Sequence, residues 1–347
     1  MAKVSVLTPT YQHSDYIADC IRSVRAQTEQ DWEMIIVDDG SDDGTPDIAE
    51  AFNDPRITVV RLEHEGVPGL GRVYATALAK SSSPLIAVLE GDDTWPDNKL
   101  ELELPLFDDP KVVLAYGSAG LIDENGNHYA RFWYSPPGNV AQNVPVGAII
   151  PTLVEVNFIV AATVMIRRSA LEAIGGFWQP TGISYVDHPT WLRLATVGTF
   201  ARSSHDLGNW RRYAGQVTTR GWFDAEPDRT PYLSDILVAA QGLLSPNDAT
   251  ALKAVVGRDP SRQREDATLA RGRVALLEGS WRTAFRLFAR VLIHAQPRNK
   301  AVALLGIACA VCRTDMEKVI SLMGRHSLPS RRHRLSHREV KSQSWTA

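Results

Sequence analysis

Along the first part of the chain, short runs of unbroken apolar residues alternate with stretches of helical periodicity. Val4–Leu7, Met34–Val37, Ile57–Val60, Leu85–Leu89 and Val112–Tyr116 read as buried strands. Between them, Ile17, Cys20, Ile21 and Val24 recur at helical spacing behind a candidate N-cap at Ser14. Further helices are predicted around Ile48–Phe52, at Leu70, Val73 and Ala77, and around Leu100–Leu106. Strands without polar alternation, separated by helices, predict a parallel sheet covered on both faces. In such a sheet ligands bind beyond the carboxyl ends of the strands.

The pattern weakens from Ser118 to Asn157, where turn residues gather at Asp123–Gly126 and Pro136–Gly138, and this stretch reads as loop-rich. A strand at Ala161–Ile166, a turn at Gly175-Gly176-Phe177 and a helix around His188–Thr196 follow. Beyond about Thr230 only helical periodicity remains, in Ala267–Ile293 and Ala301–Met323 with Pro297-Arg298-Asn299 between them. The division predicted is a main domain over 1–225, a helical appendage over 230–323 and a basic, disordered tail over 324–347. The appendage is loosely similar to one tetratricopeptide unit. A single unit cannot bury its own face, so it is expected to pack on the main domain or a partner.

Charge and cysteine content narrow the classes. A net charge of -3 over 347 residues gives no footprint for nucleic acid. Three cysteines cannot form a disulfide framework. Cys309 and Cys312, in an apolar run without a second pair or neighbouring histidines, read as buried helix cysteines. The chain enters a strand pattern at once, and no apolar run approaches the roughly 20 residues that span a bilayer. The expectation is a cytoplasmic protein, with its C-terminal region available for a peripheral contact with the inner face of a membrane or with another protein.

Two acidic clusters fall at predicted strand ends, about fifty residues apart. The first, Val37-Asp38-Asp39-Gly40-Ser41-Asp42-Asp43-Gly44-Thr45, offers carboxylates to ribose hydroxyls or a base N–H, or caps for the next helix. The second, Leu89-Glu90-Gly91-Asp92-Asp93-Thr94-Trp95-Pro96, sets carboxylates side by side, which taken alone reads as a solvated acidic turn or as a cation site. A divalent cation relieves such repulsion, and Mg²⁺ or Mn²⁺ with oxygen ligands also bridges phosphates. A departing nucleoside diphosphate needs that charge neutralised.

With the opening Ser5-Val6-Leu7-Thr8-Pro9-Thr10-Tyr11, these clusters resemble the family 2 glycosyltransferases, the inverting group with the GT-A fold. Ile21–Thr28, Gly71-Arg72, Trp95-Pro96, Lys99-Leu100-Glu101, Gly175-Gly176-Phe177 and Tyr185-Val186-Asp187 extend the resemblance over residues 3–220. It implies a Rossmann-like α/β domain moving one sugar from a nucleotide-diphosphate sugar, a UDP-sugar above others, to a hydroxyl. The acceptor would be a glycan, a lipid-linked sugar or a small molecule. It further implies that Pro9, Thr10 and Tyr11 hold the base, with Tyr11 on its face. Asp39 would touch base or ribose, and Arg72 the nucleotide. Asp92 and Asp93 would form the metal motif, with Asp93 the closer ligand, and Asp187 would be the general base while also capping its helix.

Two positions depart from the family. Glu90 replaces a frequent Asp, and near Trp210–Tyr213 a histidine is missing, so Arg211 or Arg212 would have to supply positive charge. Acceptor specificity is expected in Ser118–Asn157 and around Trp178–Tyr185. A nucleotidyltransferase is the competing enzyme class, but Thr10–Ser14 lacks the glycines and lysine of a triphosphate loop. An inactive nucleotide-sugar-binding module is the competing non-enzyme.

Overall fold

The computed structural model describes residues 2–132, 138–213, 229–257, 279–294 and 297–314, with isolated residues between them. The tail over 324–347 lies outside the described residues. Two compact units emerge among the described residues: one holds the chain to Tyr213 together with Pro231–Leu252, the other the described residues between Lys253 and Thr314.

The first unit is built on an eight-stranded sheet with order β3-β2-β1-β4-β7-β5-β6, and β8 pairs with β5. The strands β1 (Val4–Thr10), β2 (Trp32–Asp38), β3 (Ile57–Arg61) and β4 (Leu85–Val88) are mutually parallel. β7 (Met165–Arg167) runs antiparallel between β4 and β5 (Val112–Ile122). All seven residues of β1 and all four of β4 are buried, as the unbroken apolar runs require of strands covered on both faces. Helix α1 (Ile17–Arg25) lays Ile17, Cys20, Ile21 and Val24 into this core. Its N-cap is Tyr16 with no side-chain cap bond, so Ser14 does not cap it. The Ser14 N–H instead donates to Asp43 Oδ2 at 2.9 Å.

The segment Ser118–Asn157 is more ordered than its turn residues suggest. β5 continues to Ile122 and turns back as β6 (His128–Phe132), and a helix α5 spans Ile150–Glu155. The predicted strand Ala161–Ile166 is a 3-10 turn at Ala161–Thr163 followed by the three residues of β7. A further strand, β8 (Thr199–Arg211), runs parallel to β5 along its whole length. Between them, α6 (Arg168–Ala173) and α7 (Asp187–Leu194) complete this half.

Residues past 230 are shared between the units. Helix α8 (Thr230–Ala239) buries Tyr232, Leu233 and Ile236 in the first unit, with the Tyr232 ring edge-on to Trp178 and His188. In the second unit α10 (Trp281–His294) and α11 (Pro297–Val311) pack around Phe288, which is 0% exposed. A Cβ on Gly272 or Gly306 would come within 2.7 Å or 2.5 Å of that ring, so both positions must be glycine for the helices to close on it. The helical segment therefore buries a face of its own, contrary to the expectation for a single repeat. Cys309 lies in that core, whereas Cys312 is exposed, so only one of the pair is the buried helix cysteine predicted. Among the described residues no helix is long and apolar enough to cross a membrane.

Candidate active site at the strand ends

The carboxyl ends of β1, β2 and β4 lie side by side, and the chain knits them beyond the strands. The Gly91 N–H donates to Pro9 O at 3.0 Å and the Asp39 N–H to Thr10 O at 3.0 Å. Gly91 has no room for a side chain, since a Cβ would lie 2.6 Å from Thr10 Oγ1 and 2.9 Å from His13 Nδ1. This close approach brings the second acidic cluster against the Pro9–Tyr11 loop.

Carboxylate oxygens of Glu90, Asp92 and Asp93 all lie within 4.8 Å of one another. Burial pushes the Asp93 carboxyl well up, and the charges of Asp92 and Glu90 add to the effect, against Arg211. Burial likewise raises Glu90, helped by the charges of Asp92 and Asp187, while the Tyr74 hydroxyl, 3.1 Å away, opposes it. Three acids held in one place, with the Glu90 and Asp93 carboxyls raised, form a group that could hold a cation. All the donors are oxygens, which suits a hard divalent ion.

The loop carrying the acids is locked from several sides. Gln27 bonds Pro96 O and the Leu100 N–H, and the Trp95 indole N–H donates to Ala162 O at 2.7 Å. From the end of β8, the Arg211 N–H donates to Asp93 Oδ1 at 2.9 Å and its Nε to Asp92 O at 2.7 Å. The Arg211 guanidinium also donates to Asp123 O and Glu124 O, and the side chain is fully buried. Arg211 thus stabilises the acidic turn from behind; it does not present a free cation. Tyr213, standing where the family often has histidine, hydrogen-bonds the Asp92 side chain, and burial together with Asp92 pushes its phenol up. His13 joins the group, with Nε2 3.9 Å from Asp92 Oδ2 and Nδ1 3.2 Å from Thr10 Oγ1.

On the far side of β1, the first acidic cluster separates into two kinds of residue. Asp38 accepts bonds from the Ser41 N–H and hydroxyl, and Asp43 from Ser14 and Thr45, so both close the turn. Asp39 accepts from the Gly66 N–H at 3.0 Å and lies 2.9 Å from His64 Nδ1 and 3.9 Å from Arg72 Nη2. The His64 ring stacks on Tyr11, with centroids 4.1 Å apart and planes 13° apart. Pro9 and Thr10 are buried beneath this group, while Tyr11 stays partly exposed.

Asp187 opens α7, but the N-cap is Val186 and no side-chain cap bond forms. Its carboxylate instead accepts a bond from Asn157 Nδ2 at 2.7 Å. Burial raises its pKa against that bond and the backbone donors at the helix start. After burial, its charge is one of the causes that raise Glu90 and Tyr74, so it is felt at the acid cluster. The neighbouring His188 is buried, with Nε2 2.7 Å from Leu153 O and Nδ1 3.1 Å from the Tyr232 hydroxyl. A carbonyl only accepts, so Nε2 carries the proton and neither nitrogen is open to substrate.

The fold thus brings Glu90, Asp92, Asp93 and Asp187 together and sets Pro9, Thr10, Tyr11, Asp39 and Arg72 in an adjoining group. His13, His64, Tyr74, Asn157 and the bond from Tyr213 to Asp92 are additions that the sequence reading did not assign. His13 and His64 flank quoted motifs closely enough to have been candidates. Tyr74 and Asn157 carried no signal, since only the folded chain brings them near an acid.

The chain matches the family described as Glycosyl transferase family 2 over residues 5–175. It is 32% identical over 222 residues to TuaG of Bacillus subtilis, named for teichuronic acid biosynthesis, covering 63% of this chain and 82% of TuaG. It is 34% identical over 122 residues to WfgD of Escherichia coli, a UDP-Glc:alpha-D-GlcNAc-diphosphoundecaprenol beta-1,3-glucosyltransferase, covering 35% of this chain and 47% of WfgD. In fold it is similar to the crystal structure of Staphylococcus aureus TarS 1-349 in complex with UDP-GlcNAc. The TM-score is 0.57 with 16% identity, over 94% of this chain and 93% of that one. The mannosyltransferase PcManGT of Pyrobaculum calidifontis, in complex with GDP-Man and Mn²⁺, aligns with a TM-score of 0.51 and 17% identity over 94% and 88%. With its acids gathered at the strand ends of such a sheet, this chain belongs to the family 2 glycosyltransferases, which transfer a sugar from a nucleotide sugar to an acceptor hydroxyl with inversion.

Proposed function

We propose that this glycosyltransferase is metal-dependent, takes a UDP-sugar, and adds one sugar to a lipid-linked or glycan acceptor in polysaccharide assembly. The observation that carries the metal dependence is the group of three carboxylates whose oxygens lie within 4.8 Å of one another. Asp92 and Asp93 would hold Mg²⁺ or Mn²⁺, which when bound offsets the charge of the departing diphosphate. The UDP preference rests on the UDP-sugar named for WfgD and the UDP-GlcNAc bound by TarS. The acceptor class rests on the diphosphoundecaprenol substrate named for WfgD.

In this reading Tyr11 receives the base on the part of its ring that His64 leaves open. Asp39 and Arg72 fix the base and ribose, with Pro9 and Thr10 as the floor. Tyr213 orients Asp92 through its hydroxyl. Asp187, aligned by Asn157, takes the proton from the acceptor hydroxyl as the new bond forms on the face opposite the diphosphate. Its raised pKa makes it a stronger base than an ordinary aspartate. The C-terminal region is a peripheral contact with a membrane or a protein partner, and the transferase acts at the cytoplasmic side.

A thermal-shift series with nucleotide sugars tests this reading, because a ligand of the native state raises its apparent stability. UDP-sugars are expected to raise Tm with Mn²⁺ present and much less after EDTA. Full turnover in excess EDTA overturns the metal dependence, and a shift confined to guanine nucleotides overturns the donor.

A further inference from the structure

The peripheral contact proposed for the C-terminal region can be assigned to one helix face. Between Gly279 and Thr314 the chain carries Arg282, Arg286, Arg290, Arg298, Lys300 and Arg313 and no Asp or Glu. This stretch of +6 belongs to a chain whose net charge is -3, so the asymmetry is local. On α10 the arginines are placed by the helical repeat. Arg282, Arg286 and Arg290 follow one another at four-residue spacing and are all exposed. Among the described residues none of the three is in an ion pair or hydrogen bond.

The same face also holds apolar side chains. Phe285 is 44% exposed and Ile293 68% exposed. At 100° per residue, Phe285, Arg282, Ile293, Arg286 and Arg290 fall within an arc of about 140°. The opposite face, with Ala284, Leu287, Phe288 and Val291, is used up in the unit's own core. A face kept only for solvation would not set a phenylalanine and an isoleucine in water between unpaired arginines.

We propose that the outward face of α10 docks on an anionic lipid surface, the arginines meeting phosphates and Phe285 and Ile293 entering the headgroup boundary. Charge complementarity selects this occupant, because every ionised side chain on the face is positive. A lipid surface accepts a straight helix without a matching shape, and interleaved basic and apolar residues gain from both headgroup charge and interfacial burial. This deepens the peripheral contact proposed above and does not depend on which sugar or metal the active site takes.

The test uses the full-length protein and co-sedimentation with vesicles of phosphatidylcholine alone or with 30 mol% phosphatidylglycerol at physiological salt, a composition chosen on the order of anionic cell membranes. Binding is expected to the anionic vesicles only and to fall as salt rises. Replacing the three arginines, Arg282→Ser, Arg286→Ser and Arg290→Ser together, is expected to weaken the partition on the order of 100-fold, at about fivefold per charge. Phe285→Ser with Ile293→Ser is expected to weaken it further at high salt, where the charges are screened. Circular dichroism and turnover on a soluble acceptor should be unchanged in both variants, which separates loss of docking from loss of fold or of the proposed chemistry. Two results overturn the proposal. One is vesicle binding that survives the triple substitution but disappears on deletion of residues 324–347. The other is failure to bind anionic vesicles alongside tight binding of polyglutamate, which would assign the face to an acidic protein.

Discussion

Two groups of buried charge follow one another on the connection from β4 to α4 (Lys99–Glu103), and they are built on opposite terms. Lys99 and Glu103 are both fully buried and close on each other one helical turn apart, with the Lys99 ammonium also 4.6 Å from the Trp95 ring centre. A few residues earlier, Glu90, Asp92 and Asp93 bring like charges together, with a backbone N–H of Arg211 and the hydroxyls of Tyr74 and Tyr213 as their donors. The pair balances its charge within the protein, although Glu103 Oε1 is buried without a hydrogen-bond partner. The cluster gathers like charges, which is why a cation from outside is proposed for it. Burial by itself therefore does not mark a functional acid; several like charges gathered at a strand end make the better candidate.

Removing one member of each group should separate them most sharply. Asp93→Asn is expected to lower turnover on the order of 10³-fold, since it removes a carboxylate proposed to hold the charge-neutralising ion. The metal-free variant should melt no lower than the parent, because a source of repulsion has gone. Steady-state kinetics and calorimetry read both halves, and near-normal kcat with Mn²⁺ would refute the assignment. Asp187→Asn should lower kcat by about 10²–10⁴ while leaving UDP binding nearly unchanged. In the parent, the base must be ionised and its pKa is raised by burial, so kcat/KM should fall with decreasing pH from a point above the ordinary aspartate range. Loss of that acid limb in the variant is the confirming signature.

Lys99→Met addresses the other group. It leaves Glu103 buried without its partner and should destabilise the protein by about 3–5 kcal/mol, whereas Lys99→Met with Glu103→Leu should recover most of that loss. Denaturant unfolding of the three proteins decides, and equal destabilisation in single and double variants would show that packing dominates over charge.

The smallest effect is a pH dependence. Glu90 is raised to about 8 and Asp93 is raised too, so between their unfolded and folded values the unfolded state sheds protons that the folded state keeps. Stability of the metal-free protein should then fall as pH rises from about 4.5 to 8. Mn²⁺ at a hundred times its Kd should add about 2.7 kcal/mol at the upper end and flatten the slope. A profile equally steep with and without Mn²⁺ would show that the slope arises elsewhere.

How much of this was readable in advance follows from what writes itself into a local pattern. The strands β1 to β4 announce themselves because both faces are buried, and the acids at their ends because the chain must turn there. β8 does not: in TFARSSHDLGNWR only Phe200, Ser203, Leu207, Gly208 and Arg211 are buried, so no apolar run or alternation appears. The extension of β5 hides in Gly117-Ser118-Ala119-Gly120, small residues that pack closely against β8 and His128. Among site residues, the carboxylates were legible and their partners were not. Asn157 meets Asp187 across 30 positions and Arg211 meets Asp93 across 118, distances that no periodicity spans. In the appendage the helical period was clear, yet the fit of Phe288 between two glycines depends on three segments at once.

The bond from Arg211 to Asp93 has a consequence for how the enzyme is made and divided. The acids emerge early from the ribosome, but the strand that fixes their turn is synthesised more than a hundred residues later. Until β8 has closed on β5, Asp93 lacks the backbone donor that holds its carboxylate, so the acidic turn is fastened late. A fragment ending at 175, where the family match ends, would contain every acid of the cluster yet neither Asp187 nor the clamp. The smallest piece that can act as an enzyme therefore reaches past Tyr213, and trimming to the recognisable portion would leave a carboxylate turn without its fastening.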